Sequence, residues 1–231
     1  MGIFDCIRNK DLEQLNALLE DGADVNVHGN HVCTPLYFAT RKGDVDAVKL
    51  LLKYKADTNI KTTAEFRTPL HIVNNYEIAK LLIEQGADVN VVDRIGNTPC
   101  HCAVRKNLPN SVLKLFLEKS TNYDERNKDG WTALHYAVAK LDFVKTYMLL
   151  QKGANLYTVT KYGSDIMSLS YHKNTSAEIV QLLINHGIDY HQLTWPAIRE
   201  ENILIDAAVN GRYDILKILL DSGMKFNKDS S

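Results

Sequence analysis

The chain has 231 residues, 45% hydrophobic and 24% charged, which is the composition of an ordinary folded protein. Its formal net charge of −1 excludes a global attraction to nucleic acid or to anionic membranes. No apolar run approaches the roughly 18–20 residues that cross a bilayer, and the N-terminus lacks the regions of a signal peptide. Four cysteines without a disulfide or zinc spacing indicate a reducing compartment, so we expect a cytoplasmic protein.

The first recurring element is a four-residue motif that predicts the start of a helix. It reads Thr-Pro-Leu-Tyr at Thr34 to Tyr37, and its later copies begin at Thr68, Thr98 and Thr132, in steps of 34, 30 and 34 residues. A threonine hydroxyl can cap the first turn of a helix, and proline suits the first helical position. Each copy is therefore expected to begin a helix.

A second motif runs in phase with the first and predicts where a second helix ends. It reads Gly-Ala-Asp-Val-Asn at Gly22 to Asn26, and each copy follows an apolar pair or triplet. Glycine suits the left-handed residue that ends a helix, and Asp and Asn favour the turn after it. Further copies begin at Lys55, Gly86 and Gly153, with weaker ones at Gly187 and near Ser222.

Two motifs in fixed phase resemble ankyrin repeats, whose period is about 33 residues. The resemblance covers the chain from about Ile3 to Asn227 and implies an all-α fold, an ankyrin-repeat solenoid of helix pairs with β-hairpin loops. One helix pair cannot bury its apolar stripe alone, so neighbouring pairs must stack. We predict one domain over 1–231, with an N-terminal cap at 1–27, repeats at 28–60, 61–91, 92–125, 126–158 and 159–191, and a C-terminal cap at 192–231.

Several repeats depart from the pattern. The repeat at 61–91 is short, and its first helix or the following turn must be clipped. Pro109 lies with one extra residue between the helices of the next repeat, and Asp165-Ile166-Met167-Ser168 stands where Thr-Pro-Leu-His is expected. Lys55 and Ser120 replace the helix-ending glycine. A left-handed non-glycine residue costs about 1 kcal/mol, so we expect these turns to be less stable or differently shaped.

The candidates for chemistry are better explained as structural residues. The family resemblance implies that His71, His101 and His135 make hydrogen bonds between repeats, and one histidine per repeat cannot supply the roughly four ligands that zinc needs. Neighbouring residues on a helix point in different directions, which argues against Cys100-His101-Cys102 as a metal site. The sequence contains no nucleophile arrangement and no phosphate-binding loop. We expect no enzyme, no metal and no cofactor.

What remains is surface recognition. Partners of ankyrin proteins usually bind the concave face, which is made of loop tips and the exposed side of each first helix. The resemblance places on this face His31, Arg41, Lys42, Arg67, Arg94, Asn97, Arg105, Lys106, Lys128, Asp129, Trp131, Lys140, Tyr162, His172 and Lys173. Positive residues dominate this set, so we hypothesise a basic groove that prefers an acidic protein surface. The alternative is that solvated Lys and Arg are simply common at such positions.

Three further residue types carry expectations. Trp131 is the predicted anchor, because tryptophan is enriched at binding hot spots; the alternative is packing against Tyr162 or another loop tip. Trp195 lies in a longer loop before the last unit and is expected to seal the stack. Asparagines in the turn motif resemble the hydroxylation sites of animal ankyrin proteins, namely Asn26, Asn59 and Asn90.

The leading interpretation is a monomeric interaction module or scaffold, whose rigid surface loses little entropy on binding another protein. Two alternatives stay open. One is an effector or adaptor of an intracellular bacterium or virus, delivered into a host cell to act on a host protein. The other is binding of nucleic acid or a phosphorylated ligand in the basic groove. Only Trp131 and Tyr162 supply aromatic rings for stacking on bases, so nucleic acid is disfavoured.

Overall fold

A computed structural model describes residues 2–29, 33–170, 176–189 and 200–225. These residues form helices and turns, with one isolated antiparallel bridge between Val159 and Asp165 and no regular strand among them. The chain divides into two compact units, unit 1 (Met1–Asn122) and unit 2 (Tyr123–Ser231). The predicted all-α fold is confirmed.

Unit 1 contains four helix pairs in its described part. They are α1 (Ile3–Asn9) with α2 (Leu12–Glu20), α3 (Pro35–Lys42) with α4 (Val45–Lys53), the 3₁₀ helix η1 (Pro69–His71) with α5 (Tyr76–Glu84), and α6 (Pro99–Arg105) with α7 (Asn110–Lys119). The first helices α1, α3, η1 and α6 pack against one another in that order, and the second helices form another such row. Leucines from both rows are fully buried, including Leu36, Leu51, Leu82 and Leu113.

Unit 2 repeats this arrangement in the residues described. Its pairs are α8 (Ala133–Ala139) with α9 (Phe143–Gln151), α10 (Ile166–Ser170) with α11 (Ala177–Asn185), and α12 (Glu200–Val209) with α13 (Tyr213–Asp221). Helix α10 packs on α8, while α11 packs on both α9 and α13. The stacked faces bury Leu134, Leu149, Ile166, Leu183 and Leu219, which one pair alone would leave exposed.

The predicted helix starts are confirmed. The side-chain oxygens of Thr34, Thr98 and Thr132 accept hydrogen bonds from the backbone N–H three residues further on, at 3.3, 3.4 and 3.3 Å. Asp165 takes this role for α10, since its Oδ1 accepts from the Ser168 N–H at 2.7 Å. The same capping requirement is therefore met by a different residue type in the irregular repeat.

The predicted irregularities also occur. The clipped repeat keeps a first helix of only three residues, η1. Pro109 lies immediately before α7, where its missing N–H costs no helical hydrogen bond. Lys55 is held left-handed at φ +64°, whereas Ser120 avoids that region with an extended backbone at φ −71°, ψ 143°. The two glycine replacements thus have different structural outcomes.

The loops that precede the first helices are short fingers, each closed by a backbone hydrogen bond. Finger A (62–67) and finger B (93–97) belong to unit 1, and finger C (127–131) and finger D (160–164) belong to unit 2. The closing N–H···O distances are 2.9, 2.9, 2.9 and 2.8 Å. Each predicted repeat range contains one helix pair; the assignment of 1–231 to a single domain stays a prediction.

Candidate partner-binding site

Arg67 joins the two fingers of unit 1. The buried Asp93 carboxylate organises finger B, because its Oδ1 accepts from the N–H groups of Ile95 and Asn97 at 3.0 and 2.9 Å. Asp93 Oδ2 also accepts from Arg67 Nε at 3.3 Å, and Arg67 forms a second ion pair with Glu65. Arg67 therefore pairs with two carboxylates and holds the fingers together.

Arg94 provides a second link between the same fingers. Its backbone N–H donates to the Glu65 carbonyl at 2.8 Å, and its Nη1 donates to the Ala64 carbonyl at 3.3 Å. The Arg94 side chain remains exposed despite this bond. Arg94 thus positions finger A and adds positive charge at the tips.

The C-terminal ends of α3 and α6 carry four more of the predicted cations. Arg41 and Lys42 occupy the last turn of α3, Arg105 occupies the last turn of α6, and Lys106 follows it. Cations there complement the helix dipole. In the described part of the chain, none of the four forms an ion pair with a carboxylate.

Lys106 reaches across the clipped repeat. Its Nζ donates to the His71 carbonyl at the end of η1, at 3.1 Å. Burial lowers the pKa of the Lys106 ammonium, and repulsion from Arg67 and Arg105 lowers this pKa further. Positive charge therefore gathers on the first-helix side of unit 1, where the first helix of one repeat is reduced to a single turn.

The predicted anchor Trp131 lies in finger C of unit 2 and is partly buried. Its ring centroid lies 4.8 Å from that of Tyr136 and 5.9 Å from that of His135. Tyr162, one of the packing partners in the alternative interpretation of Trp131, is 73% exposed at the tip of finger D. The other predicted residues of this unit are exposed, namely Lys128, Asp129 and Lys140.

The expectation that Asn97 faces a partner is wrong. Asn97 is fully buried, at 0% exposure, because its backbone closes finger B and its carbonyl accepts from the ring of His71. A residue without exposed surface cannot contact a partner. The predicted positions His31, His172 and Lys173 lie outside the described residues, as does Trp195.

The motif histidines are structural, as expected. Nδ1 of His71 accepts from the Thr68 N–H at 3.1 Å, which assigns the proton to Nε2, and Nε2 donates to the Asn97 carbonyl at 3.0 Å. Burial lowers the pKa of His71 to about 4, so its ring is neutral near pH 7. His135 makes the matching contacts to the Thr132 N–H at 3.1 Å and the Thr158 carbonyl at 3.2 Å.

Neither metal nor thiol chemistry finds support in the part of the chain that the structure describes. It contains no group of three His, Cys, Asp or Glu side chains placed to hold a metal ion. Cys100 and Cys102 are buried, and burial raises the pKa of the Cys100 thiol to about 12, which leaves it unreactive near pH 7. Among the described helices, none combines the length and apolarity of a bilayer span.

The turn asparagines tie neighbouring repeats of unit 1 together. Oδ1 of Asn26 accepts from the Asp57 N–H at 2.9 Å, and Oδ1 of Asn59 accepts from the Asp88 N–H at 2.8 Å. Asn90 continues this series with an acceptor bond from the Thr121 N–H at 3.2 Å. These bonds give the asparagines a structural role, and their hydroxylation stays a prediction.

Two apolar tip residues of unit 1 were missed by the sequence reasoning. Phe66 in finger A is 49% exposed, and Ile95 in finger B is 42% exposed. Phe66 has φ +53°, at the position where the other described fingers have left-handed glycines, namely Gly96, Gly130 and Gly163. Aligning the fingers by the residue before each helix motif would have revealed this replacement from the sequence alone.

Comparison with known proteins identifies the family. The sequence profile for ankyrin repeats, in three copies, matches residues 3–93, 73–160 and 140–230. The chain belongs to the ankyrin-repeat family. Ankyrin repeats are interaction modules that bind other proteins, and the fold is a non-catalytic one. The resemblance carried by the helix-start and turn motifs is thereby confirmed.

Individual relatives are similar over most of this chain. A putative ankyrin repeat protein of fowlpox virus, FPV232, is 32% identical over 92% of this chain and 44% of its own length. Human ankyrin repeat and SOCS box protein 6 is 26% identical over 92% of this chain and 56% of its own length. The chain thus spans about half the length of these relatives. The crystal structure of an ankyrin repeat domain from Acinetobacter baumannii is 27% identical, with a TM-score of 0.72 over 83% of this chain and 98% of that domain.

Proposed function

We propose that the chain is a non-catalytic protein-binding module that takes an acidic partner surface on the first-helix and finger side of unit 1. The observation that carries the proposal is the set of cations at the ends of α3 and α6, which form no ion pairs with carboxylates within the described residues. The two nearby carboxylates, Glu65 and Asp93, are both engaged by Arg67. Arg67 balances one of these two negative charges, and the one that remains is outnumbered by the other cations of this side, namely Arg41, Lys42, Arg94, Arg105 and Lys106.

The charge distribution supports a directed rather than a general attraction. The chain is close to neutral overall, and its aspartates Asp24, Asp57 and Asp88 lie in the turns that follow the second helices α2, α4 and α5. A surface that is positive on one side only steers an acidic partner toward that side and repels it elsewhere. Burial, together with repulsion from Arg67 and Arg105, lowers the pKa of Lys106, and a bound carboxylate would raise this pKa again.

The test is a charge reversal with a matched control. Proteins are captured from the native cell with the full chain, identified by mass spectrometry, and the purified partner is titrated at several salt concentrations. Arg41→Glu with Arg105→Glu is expected to weaken binding by at least about tenfold and to flatten its salt dependence. Lys53→Glu with Lys114→Glu makes the same charge change on the second helices α4 and α7 and is expected to leave the affinity unchanged.

Two results would count against the proposal. One is an affinity that does not respond to ionic strength. The other is an equal loss of affinity in both reversed variants, since that would indicate a general effect of net charge. Absorbance at 260 nm that co-purifies with the chain would favour the nucleic-acid alternative instead.

A second candidate function is that of a viral adaptor that binds a host protein. The observation that favours it is the 32% identity with the fowlpox virus protein over 92% of this chain. The human relative covers the same share of the chain, so the capture experiment is decisive here. A partner encoded by a host genome, rather than by the genome that encodes this chain, would support the adaptor function.

A further inference from the structure

Phe66 occupies a backbone conformation that is unfavourable for its residue type. Its φ of +53° lies in the left-handed region, where a Cβ atom crowds the following carbonyl. The other three described fingers place glycine here, at φ +84°, +78° and +80°. The phenylalanine therefore adds backbone strain that a glycine at this position would avoid.

Finger A also differs in length from the other described fingers. Its closing bond joins Thr62 to Arg67, which encloses one more residue than the closing bonds of fingers B, C and D. In finger C a Cβ atom added to Gly130 would lie 2.8 Å from the Lys161 backbone nitrogen, so a side chain does not fit there. Among the four described fingers, finger A alone has both an inserted residue and a side chain at this position.

Much of the Phe66 side chain is not buried by the fold. Half of the Phe66 surface is exposed to solvent, and the apolar tip of finger B, Ile95, is also exposed. The bond between the Arg94 N–H and the Glu65 carbonyl connects the residues immediately before Ile95 and Phe66. Two large apolar side chains therefore stand at linked neighbouring tips, which we call the tip pair (Phe66 and Ile95).

Charge around the tip pair indicates what it can receive. Arg94 is exposed beside Ile95, and Lys61, at the base of finger A, is exposed and bonded to the Val92 carbonyl at 3.3 Å. Glu65, the acidic neighbour, is already paired with Arg67. An apolar patch bordered by cations matches a segment that has a large apolar side chain among carboxylates.

We propose that the tip pair is the anchor point for an acidic protein segment, which places one large aliphatic or aromatic side chain against Phe66 and Ile95. This inference rests on the proposed function and specifies the partner of the same surface. The anchor supplies the contact that slows dissociation, while the cations of α3 and α6 supply the attraction that speeds association. Phe66 thus serves binding at a cost in backbone strain.

The test is a peptide-display selection on the full chain, followed by titration of the enriched peptides. We expect enrichment of peptides that combine Asp or Glu with one Leu, Phe or Trp. Phe66→Gly is expected to bind these peptides at least about tenfold more weakly, while its melting temperature stays equal to or above that of the parent, because glycine relieves the left-handed strain. Ile95→Ser tests the second member of the pair in the same way.

Lys55→Gly is the matched control. Lys55 is another exposed left-handed residue, at φ +64°, but it lies in the turn after α4. The substitution relieves the same kind of strain and is expected to leave peptide affinity unchanged. Equal peptide affinities of the parent and Phe66→Gly would refute the role of the tip pair as an anchor. A lower melting temperature of Phe66→Gly would refute it as well, because Phe66 would then be a packing residue.

The outcomes separate this inference from the proposed function. Acidic peptides that bind with salt dependence, yet bind Phe66→Gly as well as the parent, would refute the anchor and leave the basic surface standing. Enriched peptides that depend on Phe66 but carry no acidic residues would support the anchor and refute the basic surface. A selection without any enrichment counts against both. If the chain self-associates with rising concentration and Phe66→Gly does not, the tip pair binds a second copy of the chain. That result would also refute the proposal.

Discussion

The clipped repeat of unit 1 and the regular repeat of unit 2 that contains α8 and α9 begin in the same way and then diverge. Both open with a threonine and a histidine three residues later, and both histidines bond the motif backbone and a carbonyl beyond it. One continues as a helix of seven residues, α8, and the other stops after the three residues of η1. Their second helices, α5 and α9, have nine residues each. The comparison teaches that the capped entry and the second helix define a repeat, while the length of the first helix can vary.

The fingers of the two repeats also differ. Gly130 in finger C leaves no room for a side chain, whereas finger A inserts one residue and presents Phe66. The clipped repeat thus departs from the pattern both in its first helix and in its finger. These are the two elements that ankyrin repeats use for recognition, whereas the second helix of the clipped repeat keeps its full length.

The largest expected difference between the two repeats lies at the caps of their second helices. Asp142 caps α9 through the Lys145 N–H at 3.0 Å and also accepts from the buried Lys145 Nζ at 2.5 Å, whereas Asn75 caps α5 through a single bond to the Ile78 N–H at 3.2 Å. We expect Asp142→Ala to lower the free energy of unfolding by about 4 kcal/mol, because it removes both the helix cap and the carboxylate that pairs with the buried Lys145 ammonium. Asn75→Ala loses a cap alone and is expected to cost about 1 kcal/mol.

Urea denaturation followed by circular dichroism measures both changes. The double variant Asp142→Ala with Lys145→Met removes the buried charge along with its partner and is expected to recover most of the loss. Equal effects of Asp142→Ala and Asn75→Ala would contradict the importance of the buried ion pair.

The next effect concerns the histidine that the two repeats share. The pKa of His71 is about 4 in the folded chain, below the ordinary histidine value of 6.5, so the unfolded chain binds more protons between these two pH values. Stability that is fully present above pH 6.5 is therefore lost as the pH falls toward 4, by about 3 kcal/mol in total. His71→Gln cannot titrate and is expected to show a shallower decline of stability across this pH range in urea denaturation. A decline as steep as that of the parent would mean that other groups are responsible.

The smallest expected effect tests the crowding at finger C. Gly130→Ala places a Cβ atom 2.8 Å from the Lys161 nitrogen and also strains a residue at φ +78°, and we expect a loss of about 2 kcal/mol. Gly153→Ala is the control, because Gly153 has φ +84° but nothing within 4 Å of an added Cβ atom. Its cost is expected to be about 1 kcal/mol, from the backbone alone. Equal losses in the two variants would show that finger C can yield to a side chain.

Much of the candidate site was visible in the sequence, but the state of its residues was not. The exposed cations Arg41, Lys42 and Arg94 follow from the repeat positions. The burial of Asn97 and the pairing of Arg67 with Asp93 do not, because both depend on contacts with residues 26 positions away. Trp131 was predicted as an exposed anchor, yet its ring packs beside Tyr136 of its own repeat. A repeat position tells which way a residue faces, but its neighbours decide how much surface remains.

By itself the sequence determined the period, the helix starts and the clipped repeat, because these depend on caps, turn residues and apolar spacing within a few positions of the chain. The sequence also shows that Phe66 replaces the glycine of the other described fingers, once the fingers are aligned. Tertiary structure alone decided which charges remain without a carboxylate and which apolar side chains stay exposed. These properties arise where one repeat packs on the next, and the residues that meet there are separated by almost a full repeat.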